Sequence, residues 1–83
     1  MTYTIIWSVS AARTFRDFRE QDPTGAGDIR TAIEALADDP RPDDSFPYGP
    51  AYRRLRVGRY RIMYRIKEKE ISVIVLNLAH SAQ

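Results

Sequence analysis

The chain has 83 residues, 43% of them apolar and 29% charged, with one histidine and no cysteine. That length supports one domain around a modest core, and the missing cysteines exclude a disulfide framework and a thiolate nucleophile and, with one histidine, argue against a structural zinc site. The net charge of +2 hides a division: residues 1–44 hold five arginines against nine acids, whereas residues 45–83 hold eight Lys or Arg against two acids.

"TYTIIW" (2–7) is rich in β-branched and aromatic residues and predicts a first strand. It is too short, and its start too poor in basic residues, for a secretory signal. No run reaches the ~18–20 apolar residues that cross a bilayer, so a cytoplasmic location is expected. Ser8 and Ser10 can each cap a helix through "AARTFRDFRE", on which Ala11 or Ala12, Phe15 and Phe18 form an apolar stripe. "QDPTGAGD" is expected to end that helix. Asp28 or Thr24 then caps a second helix, "IRTAIEALADD", whose Ile29, Ile33 and Leu36 share a face.

Residues 40–51, "PRPDDSFPYGPA", hold four prolines and a glycine and predict an irregular connector. Three strands follow: "YRRLRV" (52–57), "RYRIMYRI" (59–66) and "EISVIVLNL" (70–78), with turns at Gly58 and "KEKE". The last is apolar on both faces and belongs inside the sheet. The expected fold is a small single α+β domain spanning residues 1–83, ordered β-α-α-β-β-β. Its helical hairpin packs on one face of a mainly antiparallel four-stranded sheet.

Residues 52–66 contain six arginines and no acid. Strand alternation puts Arg54 and Arg56 on one face, and Tyr60, Ile62, Tyr64 and Ile66 on an apolar row opposite Arg59, Arg61, Met63 and Arg65. With the helices over the apolar rows, the arginines converge on the uncovered face. A solvated face mixes Lys, Glu and Thr. An all-arginine face suits phosphate, whose oxygens accept two bonds from one planar guanidinium. The basic half thereby points to nucleic acid. Tyr60 and Tyr64 read as core, while Tyr48 in the connector is free to contact RNA. Gly25 and Gly27 do not complete a phosphate-binding loop.

The register "YRRLRVGRYRIMYRIKEKEISVIVLNLAH" resembles the C-terminal half of RelE-type toxins of the RelE/ParE toxin–antitoxin superfamily, with "GRYRIMYRI" its most specific part. The resemblance implies a metal-independent, cofactor-free endoribonuclease that cuts messenger RNA in the ribosomal decoding site. It also implies a cognate antitoxin that holds the toxin inactive and links it to operator DNA. By match to the family pattern, Arg54, Arg56 and Arg61 take the phosphate and His80 a proton. Arg53, Arg59, Arg65 and Tyr48 supply further RNA contacts.

RNA carries its own nucleophile, the 2′-hydroxyl, and arginines can align and stabilise the reacting phosphate but are poor bases. His80 alone has an ordinary pKa near ~6.5; a histidine past a strand end is equally suited to a surface or capping role. The expected products are a 2′,3′-cyclic phosphate and a 5′-hydroxyl. Members commonly continue beyond this histidine with basic residues and a tyrosine, where this chain has Ser81, Ala82 and Gln83. The alternatives are a ParE-type inhibitor of DNA gyrase with the same fold, and a non-enzymatic RNA-binding or regulatory member.

Overall fold

The computed structural model describes residues 2–80; Ser81, Ala82 and Gln83, where the family pattern departs, lie outside that range. Strand β1 (Thr4–Trp7) leads into helices α1 (Val9–Gln21) and α2 (Pro23–Ala35). Strands β2 (Ser45–Pro47), β3 (Tyr52–Val57), β4 (Tyr60–Lys67) and β5 (Ser72–His80) follow, with a 3-10 turn at Glu68–Glu70. The sheet order is β1-β5-β4-β3-β2, with β1 parallel to β5 and every other pair antiparallel. The expected interior position of the last strand holds, because β5 lies between β1 and β4.

Five strands form where four were expected. The addition comes from the proline-rich connector, where Ser45, Phe46 and Pro47 pair with Leu55, Arg54 and Arg53. An edge strand tolerates a proline because the missing donor falls on the side away from the ladder.

The helical hairpin is also tighter than expected. Ser8 caps α1, its Oγ accepting from the Ala11 amide at 3.0 Å. The second helix begins at Pro23 rather than beyond the glycines, and Asp22 is its N-cap, accepting from the Gly25 amide at 3.1 Å. Proline at the first helical position lacks only an amide that would be unpaired there anyway, so "DP" starts a helix instead of ending one. Gly25 therefore lies inside the first turn of α2, where a Cβ would come within 2.8 Å of the Tyr60 ring. Between β3 and β4, Gly58 takes the left-handed conformation at φ +59, which lets Val57 pair directly with Tyr60.

Ile29, Ile33 and Leu36 of the second helical segment are buried, with Ala11 and Phe18 from α1. They pack on Leu55, Tyr60, Ile62, Tyr64, Ile66, Val73, Val75 and Leu78. Tyr64 is wholly buried, and its hydroxyl donates to the Pro40 carbonyl at 2.7 Å, fastening the connector to the core. Among the described residues no helix is long and apolar enough to cross a membrane.

One irregularity in β5 controls what its end presents. Tyr64 pairs with Val75 and Met63 with Asn77, so Leu76 is an extra residue without a partner on β4. Ser8 reinforces this bulge by donating its amide to the Val75 carbonyl at 2.9 Å and its hydroxyl to the Leu76 carbonyl at 2.8 Å. A one-residue bulge reverses the alternation beyond it. Val73 and Val75 face the helices, and so do Leu78 and His80.

Candidate nucleic-acid interface

Strands β3 and β4 form the arginine-bearing part of the uncovered sheet face. On β4 the alternation is complete: Tyr60, Ile62, Tyr64 and Ile66 are buried beneath the helices, leaving Arg61, Met63 and Arg65 opposite. On β3, buried Leu55 fixes the phase and turns Arg54 and Arg56 to the same side as Arg61. Arg56 and Arg61 are direct cross-strand partners, and Arg54 is the partner of Met63.

Among the described residues none of these guanidiniums is in an ion pair. The ion pairs among the described residues join Arg30 to Glu34, Arg41 to Glu68 and Lys67 to Glu70. Aromatic rings support two of the face arginines instead. Arg54 stands 6.0 Å from the centre of the Tyr48 ring, and Arg65 stands 5.5 Å from that of Tyr52. A cation over a ring face is attracted to it yet keeps its N–H donors free. Between β3, β4 and β5 the surface dips into a hollow of about 450 Å³, lined by Tyr48, Arg54, Arg61, Met63, Asn77 and Ala79. Tyr48 is 58% exposed at its rim.

Three sequence-predicted residues stand elsewhere. His80 is the partner of Tyr60 on β4, and its ring lies 5.1 Å from Tyr60 and 5.0 Å from Phe18, on the helix side of the sheet. The bulge at Leu76 turns it away from Arg54, Arg56 and Arg61, so the expected phosphate-and-proton set is not assembled on one face. Arg53 lies on the Leu55 side of β3, donating from Nε to Ser45 Oγ at 2.9 Å and from a terminal nitrogen to the Ser45 carbonyl at 3.2 Å. It ties the edge strand to the sheet. Arg59 occupies the turn after Gly58 and borders a separate hollow with Asp22, Asp28 and Tyr60. There it faces carboxylates rather than the arginine cluster.

The shifted titrations also lie away from the arginine face. The Tyr60 hydroxyl donates to Asp22 Oδ2 at 2.8 Å. That bond, followed by the one from the Gly25 amide, holds the Asp22 carboxyl below its ordinary range. The same contact raises the Tyr60 phenol. Hydrogen bonds from Tyr3 and Arg41 lower Glu68, fastening the β4–β5 turn to the residue just before β1 and to the connector. Among the described residues no group of three or more His, Asp or Glu side chains gathers as a metal site would require.

Asn77 and Met63 were not singled out from sequence as parts of the interface. Asn77 carried a readable signal, as the one side chain able to both donate and accept within the apolar run "VIVLNLA". A polar residue in such a strand must either find a partner or face outward.

Residues 5–83 match the family model described as the ParE toxin of the type II toxin–antitoxin system parDE. No curated protein sequence matches the chain. Among solved structures, the YoeB/ParE toxin from Agrobacterium tumefaciens superposes with a TM-score of 0.82 at 15% identity, over 95% of this chain and 99% of that one. The archaeal RelE–RelB complex from Pyrococcus horikoshii gives 0.81 at 17% identity, over 100% and 99%. The RelBE2 toxin–antitoxin complex from Mycobacterium tuberculosis gives 0.78 at 23% identity, over 100% and 95%.

Proposed function

The chain belongs to the ParE toxin family of type II toxin–antitoxin systems, within the RelE/ParE superfamily, and on that premise we propose that it arrests translation by engaging ribosome-bound messenger RNA through its arginine face. The observation that carries this reading is the alignment of Arg54, Arg56 and Arg61 on one face of two adjacent strands, with none of the three in an ion pair among the described residues. Such a face suits a phosphodiester, because three rigid forks can hold its oxygens and oppose the charge that develops as the 2′-hydroxyl attacks. With His80 on the helix side, the protein supplies alignment and charge stabilisation, and proton movement falls to solvent or to groups of the ribosome. A cognate antitoxin as partner is supported by neighbours solved as toxin–antitoxin complexes.

The position of His80 favours a second reading. An inhibitor that blocks DNA gyrase by binding needs no proton donor, and the arginine face would then meet gyrase or its DNA.

One experiment separates the two. The wild-type chain and Arg61→Ala are expressed in bacteria, messenger 5′ ends are mapped, and gyrase supercoiling is assayed in parallel. Codon-phased cuts that vanish with Arg61→Ala are the expected result. Loss of supercoiling without cuts selects the gyrase reading, and neither effect leaves a non-enzymatic regulator.

A further inference from the structure

Every polar group of Ser8, the residue between β1 and α1, is engaged. Its hydroxyl accepts from the Ala11 amide at 3.0 Å and donates to the Leu76 carbonyl at 2.8 Å. Its amide donates to the Val75 carbonyl at 2.9 Å, and its carbonyl accepts from the Ala12 amide at 3.0 Å. One side chain thus caps a helix and holds the distortion of a distant strand. Leu76 has no partner on β4. The residue that a bulge inserts is left out of the ladder, so its carbonyl needs another donor, and the Ser8 hydroxyl is that donor.

The bulge keeps two leucines off the arginine face. As folded, Arg61 has Ala79 beside it on β5 and Met63 has Asn77. Were β5 to run on from Val75 without an extra residue, Met63 would meet Leu76, Ile62 would meet Asn77 and Arg61 would meet Leu78. Both leucines would then stand on the outer face, the Asn77 amide would enter the core and His80 would turn outward. A methyl group at residue 79 leaves the Arg61 guanidinium open on its β5 side. An isobutyl group in that place would crowd the N–H donors that an anion has to reach.

We propose that Ser8 is a positioning residue for the arginine face: by clamping the bulge it sets small and polar neighbours, rather than leucines, beside Arg61 and Met63. The proposal rests on the reading that this face binds RNA. Ser8 acts through β5, and because it also begins α1, the helical layer and the arginine face share one anchoring point.

The test uses the full chain, Ser8→Gly, Ser8→Thr, and Ser8→Gly combined with deletion of Leu76. Glycine is tolerated at a helix start but offers Leu76 no hydroxyl, whereas threonine retains one. Deleting Leu76 removes the need for a clamp, because Asn77 then follows Val75 in regular alternation and still pairs with Met63. Binding of a short single-stranded RNA of mixed sequence is measured at low salt by fluorescence anisotropy. Nuclear Overhauser contacts of the His80 ring with Phe18 and Tyr60 report the alternation of β5 without RNA.

Ser8→Gly is expected to lose those contacts and about tenfold in affinity, the equivalent of one charge-assisted bond. Ser8→Thr is expected to keep both. Deleting Leu76 from Ser8→Gly should bring both back, which a general loss of stability would not allow. If Ser8→Gly binds RNA as wild type does, or the deletion restores the His80 contacts but not the affinity, the positioning role is wrong and the RNA-binding face stands. If wild type binds no RNA while the His80 contacts still follow Ser8, the RNA reading falls and takes the role of Ser8 in binding with it.

Discussion

Arg56 on β3 and Arg61 on β4 stand directly opposite one another, and neither is paired with a carboxylate among the described residues. Side chains so placed have Cβ atoms ~4.5–5.5 Å apart, and like charges at that spacing destabilise a sheet. The fold carries this repulsion on its solvent-exposed sheet face, and the proposed role in binding an anion would give it a use, as in other balances between stability and activity.

Relieving that repulsion should therefore stabilise the protein while disabling it. Arg56→Thr puts a good strand former on the exposed face and is expected to add roughly 0.5 kcal/mol, from the ~0.2–1 kcal/mol typical of cross-strand pairs. For a domain of this size that raises Tm by about 2–4 °C. The gain should shrink as salt screens the pair in the wild type, and RNA affinity should drop. Thermal unfolding at 20 and 500 mM salt checks it; a lower Tm for the variant at low salt contradicts the repulsion.

A second expectation concerns His80, whose ring rests on Phe18 and Tyr60. His80→Gln should retain messenger cleavage within about threefold, whereas losing a general acid costs ~10²–10⁴-fold. The variant should instead lose stability, by about 0.5–1.5 kcal/mol for the aromatic contacts. A hundredfold loss of cleavage in a folded variant would show that the ring leaves its packing and works on the other face.

Much of this architecture was legible in the residues. Period-two alternation in "YRIMYRI" and the buried Leu55 were enough to assign Arg54, Arg56 and Arg61 to one face, because a strand with one buried side has no freedom in phase. The fate of His80 was harder to read, since it depends on a single unpaired residue, Leu76. The clue was Asn77: continuing the parity of Val73 and Val75 would have buried an amide, so the pattern itself demanded a break. The "DPTGAG" segment misled because proline and glycine commonly interrupt helices, yet Asp22 and Pro23 together form a strong start signal. The short β2 strand carried no pattern of its own, since its pairing depends on the position of β3.

The two glycines of α2 give opposite expectations. At Gly25 an added Cβ would lie 2.2 Å from Asp22 Oδ2 and 2.8 Å from Tyr60 Cε2. Gly25→Ala must therefore displace the helix cap or the Tyr60 ring, at a cost of about 1–3 kcal/mol for forced repacking. Around Gly27 nothing lies within 4 Å of an added Cβ. Gly27→Ala should gain about 0.4–1 kcal/mol by restricting the unfolded chain. Urea midpoints of both variants test the pair, and equal shifts would refute the close approach of α2 to Tyr60.

The last prediction follows the bond from Tyr60 to Asp22 through pH. Folding favours the anionic form of Asp22, whose pKa is lowered chiefly by Tyr60 and then by the Gly25 amide. It favours the neutral form of Tyr60, whose pKa is raised chiefly by its bond to Asp22. On the acid side, an unfolded aspartate takes up a proton first. The Asp22 contribution is complete above its ordinary value of ~3.9 and is lost as pH falls. On the alkaline side the contribution of Tyr60 is complete below its ordinary value of ~10 and is lost as pH rises. Tyr60→Phe removes the alkaline limb of this pair and the larger part of its acid limb, while the Gly25 amide on Asp22 and Glu68, lowered by Tyr3 and Arg41, keep the rest of the acid limb. Tyr64, raised by burial, keeps part of the alkaline limb. The stability gap between wild type and Tyr60→Phe, read from urea midpoints, should be widest between about pH 5 and 9 and narrow toward both extremes. A gap that stays constant with pH would mean that the hydroxyl contributes by packing alone and that Asp22 holds its place without it.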